Sequence, residues 1–221
     1  MNLTADLMPA SWYWMAHVFL AGVLVELARH APWRRLSQPT QLNVWLGAIV
    51  TLALLWSIRT GIRPGLSLHL LGATACTLSF GPRLAIAAMV LVVATHVAAG
   101  SIALQALSVN ALVMGVFPVV MSQAVLRLVE RWLPRHLFVY IFGPAFFGAA
   151  FTMALTGLLA SLLLAASGAY AFDYLLQDYL PWFVLLAWAE AFSTGGAITL
   201  LVVYRPAWVV TFDDRRYLGR N

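Results

Sequence analysis

Three histidines stand inside apolar runs of this sequence, and their side chains are the ones best suited to chemistry. His69 and His96 lie near the far ends of two apolar segments that the turn at Gly81-Pro82 joins. If both segments cross a bilayer as antiparallel neighbours, the two imidazoles reach the same depth. His17 falls at a similar depth, about two turns into the first apolar run. Neutral imidazoles are common ligands of divalent transition metals, so the sequence predicts a metal site.

Two further polar residues lie deep in apolar segments. Glu190 is near the middle of the last long run, in WAEAFSTGG, and Asn110 lies in SVNALVMGV. Ionisable groups in lipid are costly and usually face a cavity or a partner. For Glu190 two roles are open, a proton or conformational role and a structural hydrogen bond. Asn110 is expected to hydrogen-bond backbone groups across helices.

The composition places these residues in a membrane. Of the 221 residues, 62% are hydrophobic and only 10% are charged, whereas a soluble domain carries about 25% charged residues. Apolar runs of about 20 residues, the length that a bilayer requires of a helix, recur along the chain. The predicted fold class is therefore all-α, a polytopic membrane helical bundle of about seven transmembrane helices.

The predicted spans leave most charges in the loops between them. Residues 1–208 are expected to form a single transmembrane domain, and residues 209–221 a cytoplasmic tail. The third span is short and contains Gly72, and residues 171–178 are expected to form an acidic loop. The spans are expected at about 11–28, 41–58, 65–80, 83–99, 102–129, 137–166 and 180–204.

The basic residues give the bundle a predicted orientation. All thirteen are arginine, and with seven spans only Arg59 and Arg63 fall on one face, while the other eleven share the opposite face. Cytoplasmic loops are enriched in basic residues, so the N-terminus is predicted outside and the C-terminus inside. The positive charge is thus explained by the orientation of the protein in the membrane, and nucleic-acid binding is not expected. Because the chain has no lysine, it has no Walker A lysine, and a partner subunit would hydrolyse any ATP.

The order of the apolar motifs resembles a known family. HLLGATACTLSFGPRLAIAAMVLVV, LSVNALVMGV and WAEAFSTGGAITLLVVYRPAWV are similar to the CbiM/NikM family, the cobalt- and nickel-binding membrane components of energy-coupling-factor (ECF) ABC transporters. The similarity runs from His69 to Trp208, with a looser match before it. The resemblance implies a multi-pass transport component, not an enzyme, in a prokaryotic plasma (inner) membrane. It also implies two partners, an ATP-binding cassette ATPase and a transmembrane coupling subunit.

The resemblance also implies a ligand set for the metal. In the family a short N-terminal Met-His segment inserts into the bundle and binds the ion together with the histidine that opens HLLG. Carried over to this chain, residues 1–10 insert, and the terminal amine of Met1 and the imidazole of His69 are ligands. Asn2 stands where the family has its histidine. Its amide side chain is a weak ligand for cobalt or nickel, although its deprotonated backbone amide could still bind the ion beside the terminal amine. His96 and His17 are the natural replacements, with Asn110 and Glu190 in support.

The predicted function is uptake of a divalent transition metal ion. Cobalt or nickel is expected from the resemblance, and zinc, copper or iron stay open because the N-terminal ligand differs. Two alternatives are a b-type haem electron-transfer subunit with two intramembrane histidines as axial ligands, and a proton-coupled secondary transporter that uses Glu190. The chain has no GxSxG or HExxH motif that would indicate a hydrolase.

Overall fold

Long apolar helices make up most of the chain. The computed structural model describes residues 2–63 and 65–217. Among these residues, five helices are long and apolar enough to cross a membrane, and a sixth of 17 residues is slightly shorter. This confirms a polytopic membrane helical bundle. The helices are α1 (Ala10–His30), α2 (Pro39–Ser57), α3 (Ala73–Phe80), α4 (Pro82–Ala98), α5 (Leu104–Trp132), α6 (Leu137–Ala166), α7 (Phe172–Tyr204) and a short α8 (Asp214–Tyr217).

Proline and glycine set where the helices begin and bend. Pro39 and Pro82 open α2 and α4, at the position where a missing N–H costs nothing. Gly81 joins α3 to α4 with φ of 78°, a conformation that favours glycine. In each of α5, α6 and α7 one widened helical turn lies next to a proline or includes it. The proline nitrogen carries no hydrogen, so it cannot donate to the preceding turn.

The third predicted span is wrong as a continuous helix. Its first part is strand β2 (Leu66–Leu68), which pairs antiparallel with β1 (Thr60–Arg63). Residues 69–72 follow without regular structure, and only the eight residues of α3 are helical. An irregular backbone at membrane depth requires protein around it. This segment meets that requirement, since Leu66 and Leu71 are at most 1% exposed.

The last helix begins earlier than the sequence predicts. Residues 171–178 are predicted to form an acidic loop, but α7 already starts at Phe172. The widened turn Leu175–Tyr179 carries the helix up to Pro181, which needs no N–H partner at that point. Asp173 and Asp178 therefore lie on the first turns of a helix.

Contacts between distant parts of the chain gather several arginines on one face. Arg83, at the start of α4, pairs with Glu26 near the end of α1 at 3.2 Å. Arg35, from the turn after α1, and Arg127, from the last part of α5, lie with Arg83 around one cleft of about 400 Å³. We call this end of the bundle the arginine face. The end that carries the β1–β2 hairpin, where the Arg63 guanidinium lies 4.6 Å from the centre of the Tyr174 ring, is called the hairpin face.

The segment after α7 binds the C-terminal end of α3. The N–H of Val210 donates to the Ser79 carbonyl at 3.1 Å, and the N–H of Thr211 donates to the Leu78 carbonyl at 3.3 Å. These are carbonyls of the last helical turn, which have no partner inside a helix. The segment after α7 therefore holds the C-terminal end of the eight-residue α3 near the arginine face. The N-terminal end of α3 continues from the loop at residues 69–72.

Candidate metal site

The loop at residues 69–72, here called the HLLG loop, is fixed from two sides. Glu190 of α7 accepts the N–H of Leu71 at 2.8 Å with one carboxylate oxygen and the N–H of Gly72 at 2.7 Å with the other. The indole N–H of Trp56, from α2, donates to the Leu71 carbonyl at 3.2 Å. Glu190 and Trp56 are each only 2% exposed. Three backbone groups of an otherwise irregular loop thus have side-chain partners, which holds the loop in one conformation.

Trp56 also brings together two of the predicted histidines. Its ring centre lies 4.7 Å from that of His69 and 5.8 Å from that of His96, and both imidazoles are buried. Nδ1 of His69 lies 2.9 Å from the Leu70 carbonyl, and Nδ1 of His96 lies 3.0 Å from the Val92 carbonyl. A carbonyl only accepts, so Nδ1 is the donor, and a neutral ring then keeps its lone pair on Nε2. Such a bond at one nitrogen orients the other for a metal.

The N-terminal segment lies inside the bundle. Leu3 is fully buried, and its N–H donates to Oδ1 of Asn110 at 2.9 Å. The Nδ2 group of Asn110 donates to the Leu3 carbonyl and to the Ala106 carbonyl, each at 2.8 Å. Asn110 thus binds backbone groups of the segment and of its own helix, and sets the depth at which the segment enters. Met1, whose amine is a predicted ligand, lies outside the described residues.

Asn2 sits beside the turn that follows His96. Its Nδ2 donates to the Ser101 carbonyl at 3.0 Å, and the N–H and hydroxyl of Ser101 donate to the His96 carbonyl at 2.9 and 3.0 Å. Two buried acceptors in this region, Oδ1 of Asn2 and Nε2 of His96, have no hydrogen-bond partner in the part of the chain that the structure describes. Buried polar atoms are normally satisfied, so these two require an explanation.

His17 has different surroundings from the other two intramembrane histidines. Its Nδ1 lies 2.5 Å from the Ser108 hydroxyl of α5, and its ring meets Trp14 edge-on at 5.8 Å. It lines a groove between the N-terminal segment, α1 and the start of α5. Among residues 2–63 and 65–217, no three His, Cys, Asp or Glu side chains group as metal ligands would. The structure therefore brings His69 and His96 to one tryptophan without adding His17 to them.

Trp56 is the residue of this region that the sequence does not reveal. A tryptophan near the end of an apolar span is typical of the aromatic belt at a membrane surface. In the structure it is buried, binds the HLLG loop and contacts both histidines. The sequence does not reveal this role, because Trp56 and Leu71 are distant in sequence and only the fold brings them together.

Comparison with known proteins assigns the family. Residues 2–208 match the family model CbiM, described as "Cobalt uptake substrate-specific transmembrane region". The chain belongs to this family. As a CbiM-family protein it is a multi-pass membrane component of transition-metal uptake, which agrees with the resemblance found in the HLLG, SVNALVMGV and WAEAF motifs. A comparison with curated proteins finds no match.

Two solved structures share the fold of this CbiM-family chain. One is described as "Crystal Structure of an Truncated Transition metal Transporter"; it has a TM-score of 0.79 and 14% identity, over 92% of this chain and 99% of that one. The other, "Crystal Structure of an transition metal transporter", has a TM-score of 0.76 and 14% identity, over 91% of this chain and 92% of that one. At this identity the likeness concerns the fold alone.

Proposed function

We propose that this protein captures a divalent cobalt or nickel ion at the hairpin face and passes it toward the arginine face. It would do so in a prokaryotic plasma membrane, with a separate ATPase and a coupling subunit of the energy-coupling-factor type. The family match over residues 2–208 is the observation that carries this proposal. The HLLG loop supports the proposal, because it is buried and its histidine is held in the tautomer that metal binding uses.

The chemistry of capture follows from the side chains around the HLLG loop. A hydrated divalent ion loses water stepwise as nitrogen ligands replace it, and imidazole suits nickel and cobalt well. His69 would supply one such nitrogen, and the terminal amine of Met1 is the second ligand that the family implies. The inserted N-terminal segment brings Asn2 and Leu3 to this end of the bundle, since Asn110 holds Leu3 from both sides and Asn2 binds Ser101.

The contacts of Glu190 favour metal uptake over proton-coupled transport. Each of its carboxylate oxygens already accepts an N–H of the HLLG loop. A proton on this carboxylate would remove one of those acceptors and loosen the loop. The same contacts support a positioning role, in which Glu190 keeps His69 in place.

The arginine face supports the proposed orientation. Arginines from three separate elements line one cleft there, and basic residues accumulate on the cytoplasmic side of membrane proteins. The hairpin face and the N-terminal segment would then point outward, where the ion arrives.

Elemental analysis of protein purified in mild detergent, without a histidine tag, tests this function. We expect about one cobalt or nickel ion per chain, with no haem Soret band, because the ligands form one site. His69→Ala should lose the ion, whereas His30→Ala should keep it, because His30 is exposed and paired with Glu26 on the arginine face. Equal metal content in the wild type and in His69→Ala would contradict the proposal, and a Soret band would favour the haem alternative.

A further inference from the structure

We infer that Nε2 of His96 and Oδ1 of Asn2 bind the captured ion together with His69, in place of the histidine that this chain lacks at its second residue. Two imidazoles and an amide oxygen would then be the side-chain ligands of the ion. This inference rests on the proposed function and specifies its ligands.

Nε2 of His96 and Oδ1 of Asn2 are in the same state. Both are buried acceptors without a donor in the described part of the chain. Each has its other polar atom engaged: Nδ1 of His96 donates to Val92, and Nδ2 of Asn2 donates to Ser101. These bonds fix the orientation of both side chains. The lone pairs of Nε2 and Oδ1 are then the acceptor sites that have no donor in the described part of the chain. A buried acceptor is costly unless a proton donor or a cation meets it.

Asn2 and the backbone of His96 meet at one turn of the chain. Ser101 binds both residues, since its carbonyl accepts from Asn2 while its N–H and hydroxyl donate to the His96 carbonyl. The N-terminal segment and the end of α4 therefore meet at this turn. Trp56 connects the turn to the HLLG loop, because its indole contacts the rings of His96 and His69 alike.

The chemistry of His69, His96 and Asn2 determines which ions they can bind. All three side chains are neutral, and the nearby carboxylate of Glu190 is occupied by the loop. Two imidazole nitrogens and one amide oxygen form a mixed donor set of intermediate softness, which suits divalent late first-row ions. Such a set does not suit calcium or magnesium, which take oxygen ligands. The substrate class is thus a divalent transition ion bound through two imidazole nitrogens and one amide oxygen.

The test counts imidazoles on the metal by X-ray absorption, with Ni²⁺ or Co²⁺ alone added to purified protein that has no histidine tag. We expect two imidazoles on the wild-type site and one in His96→Ala. His17→Ala is the matched control and should keep two, since His17 binds Ser108 in a separate groove. Asn2→Ala should keep both imidazoles but lose one oxygen at ligand distance and bind more weakly.

Affinity gives a second readout. Loss of a residue that only orients a ligand costs about 10- to 100-fold in metal affinity, so we expect His96→Ala to weaken Ni²⁺ binding by more than about 100-fold. A chromophoric chelator in competition measures it. The wild-type imidazole count needs no variant, so it decides the matter even if His96→Ala does not fold.

The outcomes separate this inference from the proposed function. One imidazole on the wild-type ion, or an unchanged count and affinity in His96→Ala, would overturn the inference while leaving the proposed function intact; Nε2 would then face a buried water. A wild-type protein that binds neither ion would overturn both.

Discussion

At the residue scale, the side-chain amide of Asn110 gives Leu3 the two hydrogen bonds that a neighbouring strand would give it. A chain that enters a helical bundle in extended form brings backbone N–H and carbonyl groups into an apolar space, where each needs a partner. An asparagine offers one acceptor and two donors, which is enough to serve Leu3 and its own helix together. The residue is therefore an anchor for the segment that carries Asn2 toward the site.

Asn110→Ala should release the N-terminal segment. The N–H and carbonyl of Leu3 would lose their partners, and the segment would leave the bundle because the buried groups find water instead. We expect the first residues to become accessible to protease and the affinity for Ni²⁺ to fall by about 10- to 100-fold, as for other residues that position a ligand. Limited proteolysis with mass spectrometry and chelator competition measure the two effects.

The control for that variant is Asn43→Ala, on the exposed side of α2. It removes the same functional group without touching the segment. If the N-terminus were as well protected from protease in Asn110→Ala as in the control, packing of Leu3 alone would hold the segment.

Sequence reasoning at this scale finds residue types and depths but not directions around a helix axis. His69 is predicted as a ligand because it opens the HLLG motif. His17, His69 and His96 are predicted at similar depth, and the structure groups only the last two at Trp56. The angular position of a side chain depends on how helices pack, which hydropathy does not encode. The unpartnered atoms of His96 and Asn2 depend on tertiary contacts in the same way.

At the element scale, α3 and the HLLG loop show how half a span can be built. Eight helical residues rise about 12 Å, less than half of a hydrocarbon layer of about 30 Å. The remainder is loop and hairpin, whose backbone groups are satisfied by Glu190, Trp56 and the pairing of β1 with β2. The stability of this element therefore depends on a few buried polar contacts.

Glu190→Gln should destabilise the protein and weaken metal binding together. Glutamine has one oxygen, so its amide group would face either the Leu71 or the Gly72 N–H and leave that donor unsatisfied. A buried donor without a partner costs about 1–3 kcal/mol. We expect a lower melting temperature in detergent and a lower Ni²⁺ affinity.

Glu26→Gln serves as the control, because its side chain is about half exposed and its ion pairs with Arg83 and His30 contribute little. If Glu190→Gln kept the wild-type melting temperature and affinity but lost uptake in vesicles, the proton-coupled mechanism would regain support.

The sequence predicts long elements well and short ones badly. The sixth span, 137–166, has the predicted bounds, since a run of thirty mostly apolar residues admits few other structures in a membrane. The third span fails because Leu66–Leu68 is as apolar as a helix would be, and a short apolar run does not distinguish strand from helix. Burial inside the bundle makes the strand possible, and that burial is a property of the neighbours.

At the scale of the whole molecule, the close approach of α6 to α7 holds the second half of the bundle together. Gly157 lies against the ring of Phe183, so close that a Cβ there would stand 2.2 Å from a ring carbon. Small residues allow such approach between membrane helices, where packing and not water drives association.

Gly157→Ala should therefore separate these helices and lower the stability. An aromatic ring buried to 2% exposure has little freedom to move aside, and overpacking of this kind costs about 1–3 kcal/mol. Thermal unfolding in detergent measures the loss. Gly22→Ala on α1, where an added Cβ meets nothing within 4 Å, is the matched control and should be neutral or stabilising. Equal melting temperatures for the two variants would mean that the ring moves aside.

The overall architecture is the part that the sequence predicts best. Composition, span length and the order of the motifs lead to a membrane bundle of the metal-uptake family, and the family match agrees. The gathering of Arg35, Arg83 and Arg127 in one cleft fits the predicted separation of charge between two faces. Helix contacts such as Gly157 against Phe183 do not follow from composition, since many pairings of apolar helices satisfy the same pattern.

The half-length α3 has an electrical consequence. With Phe80 at the inner edge of the layer, α3 rises about 12 Å and the four residues of the HLLG loop add at most about 13 Å. His69 would then lie no more than about 25 Å from the inner edge, which places it inside a layer of about 30 Å. In the proposed orientation, a divalent ion that reaches His69 has crossed at least about a sixth of the membrane field. At a potential of 100 mV this is worth about 0.8 kcal/mol or more, so in that orientation the membrane potential would strengthen capture of the ion.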